Sequence, residues 1–333
     1  MDFVSVIVPC YNEEKTIGDL LEALNRQSYP KESFEVIIVD GQSTDKTLAV
    51  IEKVRNGFSN LNVKISSNPK RNIPCAVNIG IKESSGDIIV RMDAHSIPDS
   101  RYIEYCVKNL ENEVADNVGG RWIIIPGSST KMSKCISFAA SHPFGVGDAK
   151  YRYSSEPGYV DTVPYGAFHK TLIGKIGFFN EDLLANEDYE FNVRIRKFGG
   201  KIYFDPRIQT QYVARDTIKS LAKQYWRYGF WKLRMLKLHP ETIRWRQAIP
   251  PIFVAGLLLL ILSSIIFPVI WSLVGSILLI YILVLMLGTL IKWKKNQTPL
   301  CLLGAPIAII IMHFSWGSGF LFSLITSGMK RKN

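Results

Sequence analysis

The segment "RMDAHSIPD", residues 91–99, follows the apolar Ile88, Ile89 and Val90 and presents a carboxylate and an imidazole, at Asp93 and His95. Side chains alternate along a strand, so these two would point the same way if the extended backbone continued past the strand end, and together they could grip one ion. An isolated Asp-x-His has a plainer reading, an Asx-type turn followed by a solvated histidine. Two further polar signatures end apolar runs, "PCYNEE" at 9–14 and "DGQSTD" at 40–45. Alone, "DGQSTDKT" is a turn and a helix cap made by Ser43 or Thr44. Glu187-Asp188, in "NEDYEFNVRIRKFGGKI", opens a helical stretch, where acidic side chains commonly do no more than complement the helix dipole.

The elements that carry these residues give them a shared context. From residue 1 to about 125, "FVSVIVP", "EVIIVD", "NVKIS" and "DIIVRMD" read as strands, with "EKTIGDLLEALNRQ" and "TDKTLAVIEKVRN" as helices between the earlier ones. This pattern predicts a parallel α/β sheet, in which ligands bind beyond the carboxyl ends of the strands, where three of the signatures fall. Carboxylates gathered there repel one another unless a cation, a hydrogen-bond donor or a proton compensates. A nucleoside diphosphate with a divalent metal supplies both needs. In "NPKRNIPCAVNIGIKESSGD", residues 68–87, Lys70 and Arg71 precede a short helix carrying Asn78. A basic residue there either reaches a base or diphosphate or lies in solvent.

The chain has 333 residues, a formal charge of +11 and 47% hydrophobic residues, but that average conceals a division. Up to about residue 248 charged and apolar positions mix as in a soluble domain, whereas residues 249–291 contain no charged residue. A hydrocarbon core about 30 Å thick needs roughly 20 residues per helix, so this stretch, with Pro268 near its middle, predicts two helices at about 250–268 and 269–291. A third apolar stretch, 300–326, follows the basic break at Lys292, Lys294 and Lys295 and is long enough to span, so about three transmembrane helices are expected. The apolar "FVSVIVP" lacks a basic flank and a small-residue cleavage site, so it is expected to be a strand rather than a signal peptide, with the soluble part in the cytosol. Cys10, Cys75, Cys106, Cys135 and Cys301 stand singly, which argues for reduced structural thiols.

Residues 215–248 hold nine Lys/Arg against two acidic residues, interleaved with Tyr225, Trp226, Tyr228, Phe230, Trp231 and Trp245. Such a segment could bind nucleic acid, but next to a membrane hairpin it predicts a helix lying along lipid headgroups. Three crossings would leave Lys330, Arg331 and Lys332 opposite Lys292, Lys294 and Lys295, against the charge bias of membrane proteins. Either that tail is tolerated there, or Leu300–Thr326, with Gly304, Pro306, His313, Gly317 and Gly319, does not cross as one simple helix. His313 is expected to pack rather than to face an acceptor.

Pro9, Tyr11, Asn12 and Glu13, then Asp40-Gly41 with Ser43 and Asp45, then Asp93-Ala94-His95, then Glu187-Asp188, together resemble the inverting family 2 glycosyltransferases of the GT-A fold, over roughly residues 3–230. The resemblance implies that Pro9, Tyr11, Glu13 and Asp40 hold the nucleoside of a nucleotide-sugar, that Arg71 and Ala94 lie against the donor, and that Asp93 and His95 hold diphosphate and a divalent cation. The commoner motif is Asp-x-Asp. His95 in its place leaves Mn²⁺ or Mg²⁺ as the choices, Mn²⁺ being the more tolerant of imidazole. "YGAFHKTLIGKIGFFNEDLLANEDYEFNVRIRKFGGKIYFDP" resembles the acceptor-side segment, with a glycine turn at Gly166 and, after Glu187-Asp188, Arg194 and then Gly199 or Gly200. Displacement at an anomeric carbon requires a base for the acceptor hydroxyl, which the resemblance assigns to Asp188 with Glu187 in support. Gln224, Arg227 and Tyr228 resemble the Gln-x-x-Arg-Trp motif of processive members, with Tyr for Trp, and would face acceptor and diphosphate.

The expectation is therefore a Rossmann-like, mainly parallel α/β fold of GT-A type with C-terminal transmembrane helices. Its divisions would be a cytosolic catalytic domain at 1–214, an interfacial segment at 215–248 and a membrane domain at 249–333. The activity expected is transfer of a sugar from a UDP-sugar to a lipid-linked saccharide at the plasma membrane, without nucleic acid as a partner. Chain length, the basic helix and Asp-Ala-His look most like bacterial exopolysaccharide transferases of the succinoglycan type, which suggests glucose. A processive polysaccharide synthase and a silent nucleotide-binding scaffold share the motifs.

Overall fold

A computed structural model describes residues 2–58, 60–293 and 298–329. Lys294 and Lys295 of the basic break and Lys330, Arg331 and Lys332 of the tail lie outside the described residues. In chain order the strands are β1 Val4–Cys10, β2 Phe34–Asp40, β3 Asn62–Ser67, β4 Ile88–Arg91, β5 Ile97–Pro98, β6 Asn117–Ile125, β7 Gly158–Tyr159, β8 Ala167–His169 and β9 Ile202–Val213. The helices are α1 Ile17–Asn25, α2 Thr47–Gly57, α3 Ile73–Glu83, α4 Tyr102–Glu111, α5 Lys131–Ala140, α6 Pro143–Val146, α7 Leu172–Ile176, α8 Glu187–Lys197, α9 Ile218–Leu238, α10 Trp245–Ile266, α11 Ile270–Lys292 and α12 Cys301–Met329. Two compact units result, one of residues 1–123 and 153–212, the other of 124–152 and 213–333.

In the first unit, β2 is buried at every position and β1 at all but Pro9, the mark of strands covered on both faces. Continuous Val/Ile runs meet that demand. β3, β2, β1 and β4 pair in parallel, with Cys10 opposite Asp40 and Ile7 opposite Arg91, so the polar ends of three strands emerge on one edge. This is the half legible from the sequence. β8 then joins β4 antiparallel, and β6, β9 and β5 complete the order, so the whole sheet is mixed. The β6–β9 approach requires glycine, because a Cβ at Gly120 would run into the Ile208 carbonyl.

The second unit is helical. α10, α11 and α12 are each long and apolar enough to cross a membrane. All five cysteines are buried and free.

Candidate active site

The loop after β1 is fastened to the loop after β2. Gly41 N donates to Cys10 O at 2.7 Å, Asn12 N to Ser43 Oγ at 2.9 Å, Thr44 N to Asn12 Oδ1 at 2.8 Å and Glu13 N to Thr47 Oγ1 at 2.8 Å. Asn12 and Gln42 both take left-handed backbone, with φ of 55° and 60°, which lets each loop turn sharply away from its strand. The residues of "DGQSTDKT" thus hold the preceding loop and, against expectation, Ser43 and Thr44 do not cap α2: their hydroxyls are turned to Asp40 and Asn12, and the N-cap position, Lys46, makes no side-chain cap. Asp40 is buried and its carboxylate accepts from Ser43 N at 3.0 Å and Ser43 Oγ at 2.6 Å. Pro9 is partly buried at the end of β1.

Tyr11, an exposed aromatic residue, lies with Gln42 and Arg71 at this edge. The Arg71 guanidinium is 5.8 Å from the Tyr11 ring centroid and donates to Gln42 Oε1 at 3.1 Å. A flat ring beside a cation suits a nucleobase, which stacks on one and hydrogen-bonds the other. Lys70 is instead paired with Glu181 at 2.6 Å.

Past β4, His95 Nδ1 donates to Glu13 Oε1 at 3.1 Å, and His95 Nε2 lies 3.9 Å from Asp93 Oδ2. Burial is the largest effect on the Glu13 carboxyl and pushes it up, but the His95 and Thr16 hydrogen bonds outweigh it and hold the group below its usual range. An ionised Glu13 fixes the His95 ring by one nitrogen and orients the other, the outer-shell arrangement usual for metal-binding histidines. Among the described residues no group of three or more His, Cys, Asp and Glu could hold a metal. A set of two, Asp93 and His95, suits a divalent cation that completes its shell with phosphate oxygens and water, and not a closed structural zinc centre. Ala94 is buried in the core between them, so its backbone alone can face the site.

Arg91, the last residue of β4, was not singled out by sequence reasoning. Its side chain is 5% exposed, and Nη2 lies 3.2 Å from Asp93 Oδ1 and 3.1 Å from Glu187 Oε1, with Nη1 4.0 Å from Asp188 Oδ2. A charged residue inside the apolar run "IIVRM" was the signal available, since a buried guanidinium needs carboxylate partners. Its backbone N donates to Gly166 O at 3.1 Å. Tyr165 and Gly166 have φ of 65° and 71°, and a Cβ at Gly166 would come 2.7 Å from Asn117 Oδ1. The Tyr165 ring centroid stands 5.8 Å from the Arg91 guanidinium.

Asn186, with φ of 65°, turns the chain into α8, and Asn tolerates that backbone better than most residues. Glu187 and Asp188 then occupy the first turn. Asp188 Oδ1 accepts from Tyr189 N at 2.7 Å, and its side chain keeps 35% exposure against 7% for Glu187. Burial lifts both carboxyls, Glu187 to about 7, against the opposing pull of Arg91. Asp188 is thus the half-buried, raised carboxylate, and Glu187 is the fully buried anchor of Arg91. Further along α8, Arg194 pairs with Glu190 at 2.8 Å and binds the Gly177 and Phe178 carbonyls, so it braces the segment before α8.

Gln224, Arg227 and Tyr228 lie on α9 in the second unit, where Gln224 Nε2 donates to Tyr228 Oη at 3.0 Å. His313 is engaged at both nitrogens, accepting from Tyr281 Oη at 2.8 Å and donating to Phe144 O at 2.7 Å, the packing role expected of it.

A parallel sheet edge carrying the Tyr11–Arg71 ledge and the Asp93–His95 pair, tied through one arginine to an acidic helix start, is the arrangement of a GT-A glycosyltransferase. Residues 5–174 match the profile of the family described as Glycosyl transferase family 2, and the chain belongs to that family. It is 32% identical to the dolichyl N-acetyl-alpha-D-glucosaminyl phosphate 3-beta-D-2,3-diacetamido-2,3-dideoxy-beta-D-glucuronosyltransferase of Methanococcus voltae, over 98% of each chain. To the succinoglycan biosynthesis protein ExoA of Rhizobium meliloti it is 27% identical, over 96% of this chain and 94% of that one. Its structure matches the mannosyltransferase PcManGT of Pyrobaculum calidifontis, solved with GDP-Man and Mn²⁺, with a TM-score of 0.61 at 17% identity over 100% of this chain and 88% of that one. At that identity the likeness is one of fold.

Proposed function

We propose that the chain transfers a sugar, with inversion, from a UDP-sugar to a lipid-linked saccharide at a membrane, with the catalytic residues on the cytoplasmic side. The observation that carries this is Arg91, which joins the donor-side Asp93 to the acceptor-side Glu187 and Asp188 in one charge cluster. Tyr11 and Arg71 take the base, with Pro9 and Asp40 shaping the ledge, and Asp93 and His95 hold Mn²⁺ or Mg²⁺. That cation, when bound, offsets the negative charge developing on the diphosphate. Asp188 accepts the proton of the acceptor hydroxyl as its oxygen attacks the anomeric carbon from the face opposite the diphosphate. The carbon–oxygen bond to diphosphate breaks with its electron pair leaving on the nucleotide, so configuration inverts. Glu187 holds Arg91 in place. Gly166 belongs to the acceptor-side loop by its motif, and the resemblance of Gln224, Arg227 and Tyr228 to the processive motif is what assigns them to acceptor and diphosphate.

A lipid-linked acceptor is supported by the name of the Methanococcus voltae relative, which carries a dolichyl phosphate sugar, and by the apolar helices. Glucose is the first donor to test, on the likeness to the succinoglycan protein. The test is a screen of nucleotide sugars against a membrane lipid extract, with the lipid product weighed by mass spectrometry. A gain of one hexose with UDP-glucose is expected. Long polymer would favour a processive synthase, and no nucleoside diphosphate release with any donor would favour a silent scaffold.

A further inference from the structure

Length and composition admit three crossings, but the packing inside the second unit separates α12 from the other two apolar helices. α10 and α11 form a hairpin closed at Phe267–Val269, so residue 245 and residue 292 mark its open end. The contacts of α12 with this hairpin gather towards that open end. Phe314 packs on Phe253 with ring centroids 5.9 Å apart, and a Cβ at Gly317 would lie 2.7 Å from Pro250 O. Phe320 and Leu321 share a small apolar cavity with Ala248, Pro251, Ile252 and Ala255. A stretch of α12 several turns long thus stays beside the first turns of α10. A helix crossing alongside α10 would advance with it instead.

The segment around α6 ties α12 to α11. His142 Nε2 donates to Gly288 O at 3.1 Å, four residues from the end of α11, or about 6 Å at helical rise. The same segment meets the middle of α12, where Phe144 O accepts from His313 Nε2 at 2.7 Å. His313 also accepts from Tyr281 Oη at 2.8 Å, at the middle of α11, and the contacts that follow it along α12, Phe314 on Phe253 and Gly317 on Pro250, return towards the open end.

α9 gives the direction. α12 makes its most extensive contact with α9, and the helices approach so closely that a Cβ at Gly229 would strike the Trp316 carbonyl and one at Gly319 the Trp226 carbonyl. α9 holds six Lys/Arg and no acidic residue, so it cannot enter hydrocarbon, and a helix lying along it shares its level. A third of the most apolar window of α12 is buried, 33% against 17% in α10 and 22% in α11. Charge agrees, since every Lys and Arg after residue 212 falls before residue 247 or after residue 291 and none falls in the closed turn.

We propose that α10 and α11 alone cross the bilayer, and that α9 and α12 lie together in its plane at the open end as a platform for the lipid headgroups of one leaflet. The basic side chains of α9 meet anionic headgroups, and the exposed Leu303, Ile307, Phe322 and Ile325 of α12 meet the acyl boundary. The C-terminus then emerges on the side of α9, which places its basic residues with the others.

The test is impermeant-maleimide labelling of the full chain in inside-out and right-side-out vesicles. Native cysteines are buried, so the unaltered chain is the blank. Leu238→Cys marks the end of α9, Val269→Cys the closed turn and Asn333→Cys the terminus. Asn333→Cys is expected to label from the same side as Leu238→Cys, with Val269→Cys labelling from the other. Labelling of Asn333→Cys from the side of Val269→Cys, or from neither, overturns the proposal, as does labelling of all three from one side.

Discussion

Arg91 Nη2 lies 3.1 Å from Glu187 Oε1, joining the end of β4 to the first residue of α8 across 96 positions of sequence, with both side chains nearly sealed from solvent. Removing one partner of such a buried pair leaves the other uncompensated and typically costs about 3–5 kcal/mol. Arg91→Met should therefore lower the melting temperature of the detergent-solubilised protein strongly. The double variant Arg91→Met with Glu187→Gln should melt above Arg91→Met alone. Equal melting of the two would show that the pair carries no coupling.

Asp188 and Asp40 should separate turnover from donor binding. Loss of a general base typically costs about 10² to 10⁴ in rate, so Asp188→Asn should lose transfer by that order while its affinity for nucleotide stays near that of the unaltered chain. Asp40→Asn should weaken donor binding first, because the Asp40 carboxylate orders Ser43 and the loops around the base. A folding defect would depress both properties together. Near-normal turnover by Asp188→Asn would move the search to Glu187 and Glu190.

Metal dependence follows from Asp93 and His95. Excess chelator should abolish transfer and Mn²⁺ or Mg²⁺ restore it, and His95→Ala should raise the cation concentration needed far more than it alters affinity for the free nucleoside. Full activity in chelator would remove the cation from the mechanism.

The pH profile has a defined sign. Burial raises the Glu187 and Asp188 carboxyls above their ordinary values, so as pH falls they take up protons sooner than exposed carboxyls would, and the base is lost. Transfer at saturating donor should fall on the acid side with an apparent pKa above the usual carboxylate range, belonging to the pair rather than to one residue. A limb at the pKa of an exposed aspartate would contradict the burial of the pair.

The parallel half of the sheet, the three polar strand ends and the apolar C-terminal helices were all legible in the sequence. Each rests on local periodicity: Val/Ile runs that must be buried on both faces, helices with apolar residues at helical spacing, and a charge-free stretch too long for one helix. Asp93 and His95 were likewise visible as a pair, but β4 ends at Arg91 and a turn, with Ser96 N donating to Asp93 O at 3.0 Å, sets their separation in place of the continued extended backbone. Arg91 was not, since its meaning depends on Glu187 and Asp188, residues brought to it by β8 and α8 from nearly a hundred positions away. Nor was the use of Ser43, Asp45 and Thr47 to fasten the loop after β1, which reads in sequence as a helix cap. α12 shows the limit most plainly: its composition fits a membrane crossing. The proposal that it lies beside α9 rests instead on two glycine crossings with α9 and on contacts with α10 that return towards the open end, made between distant segments that no local pattern specifies.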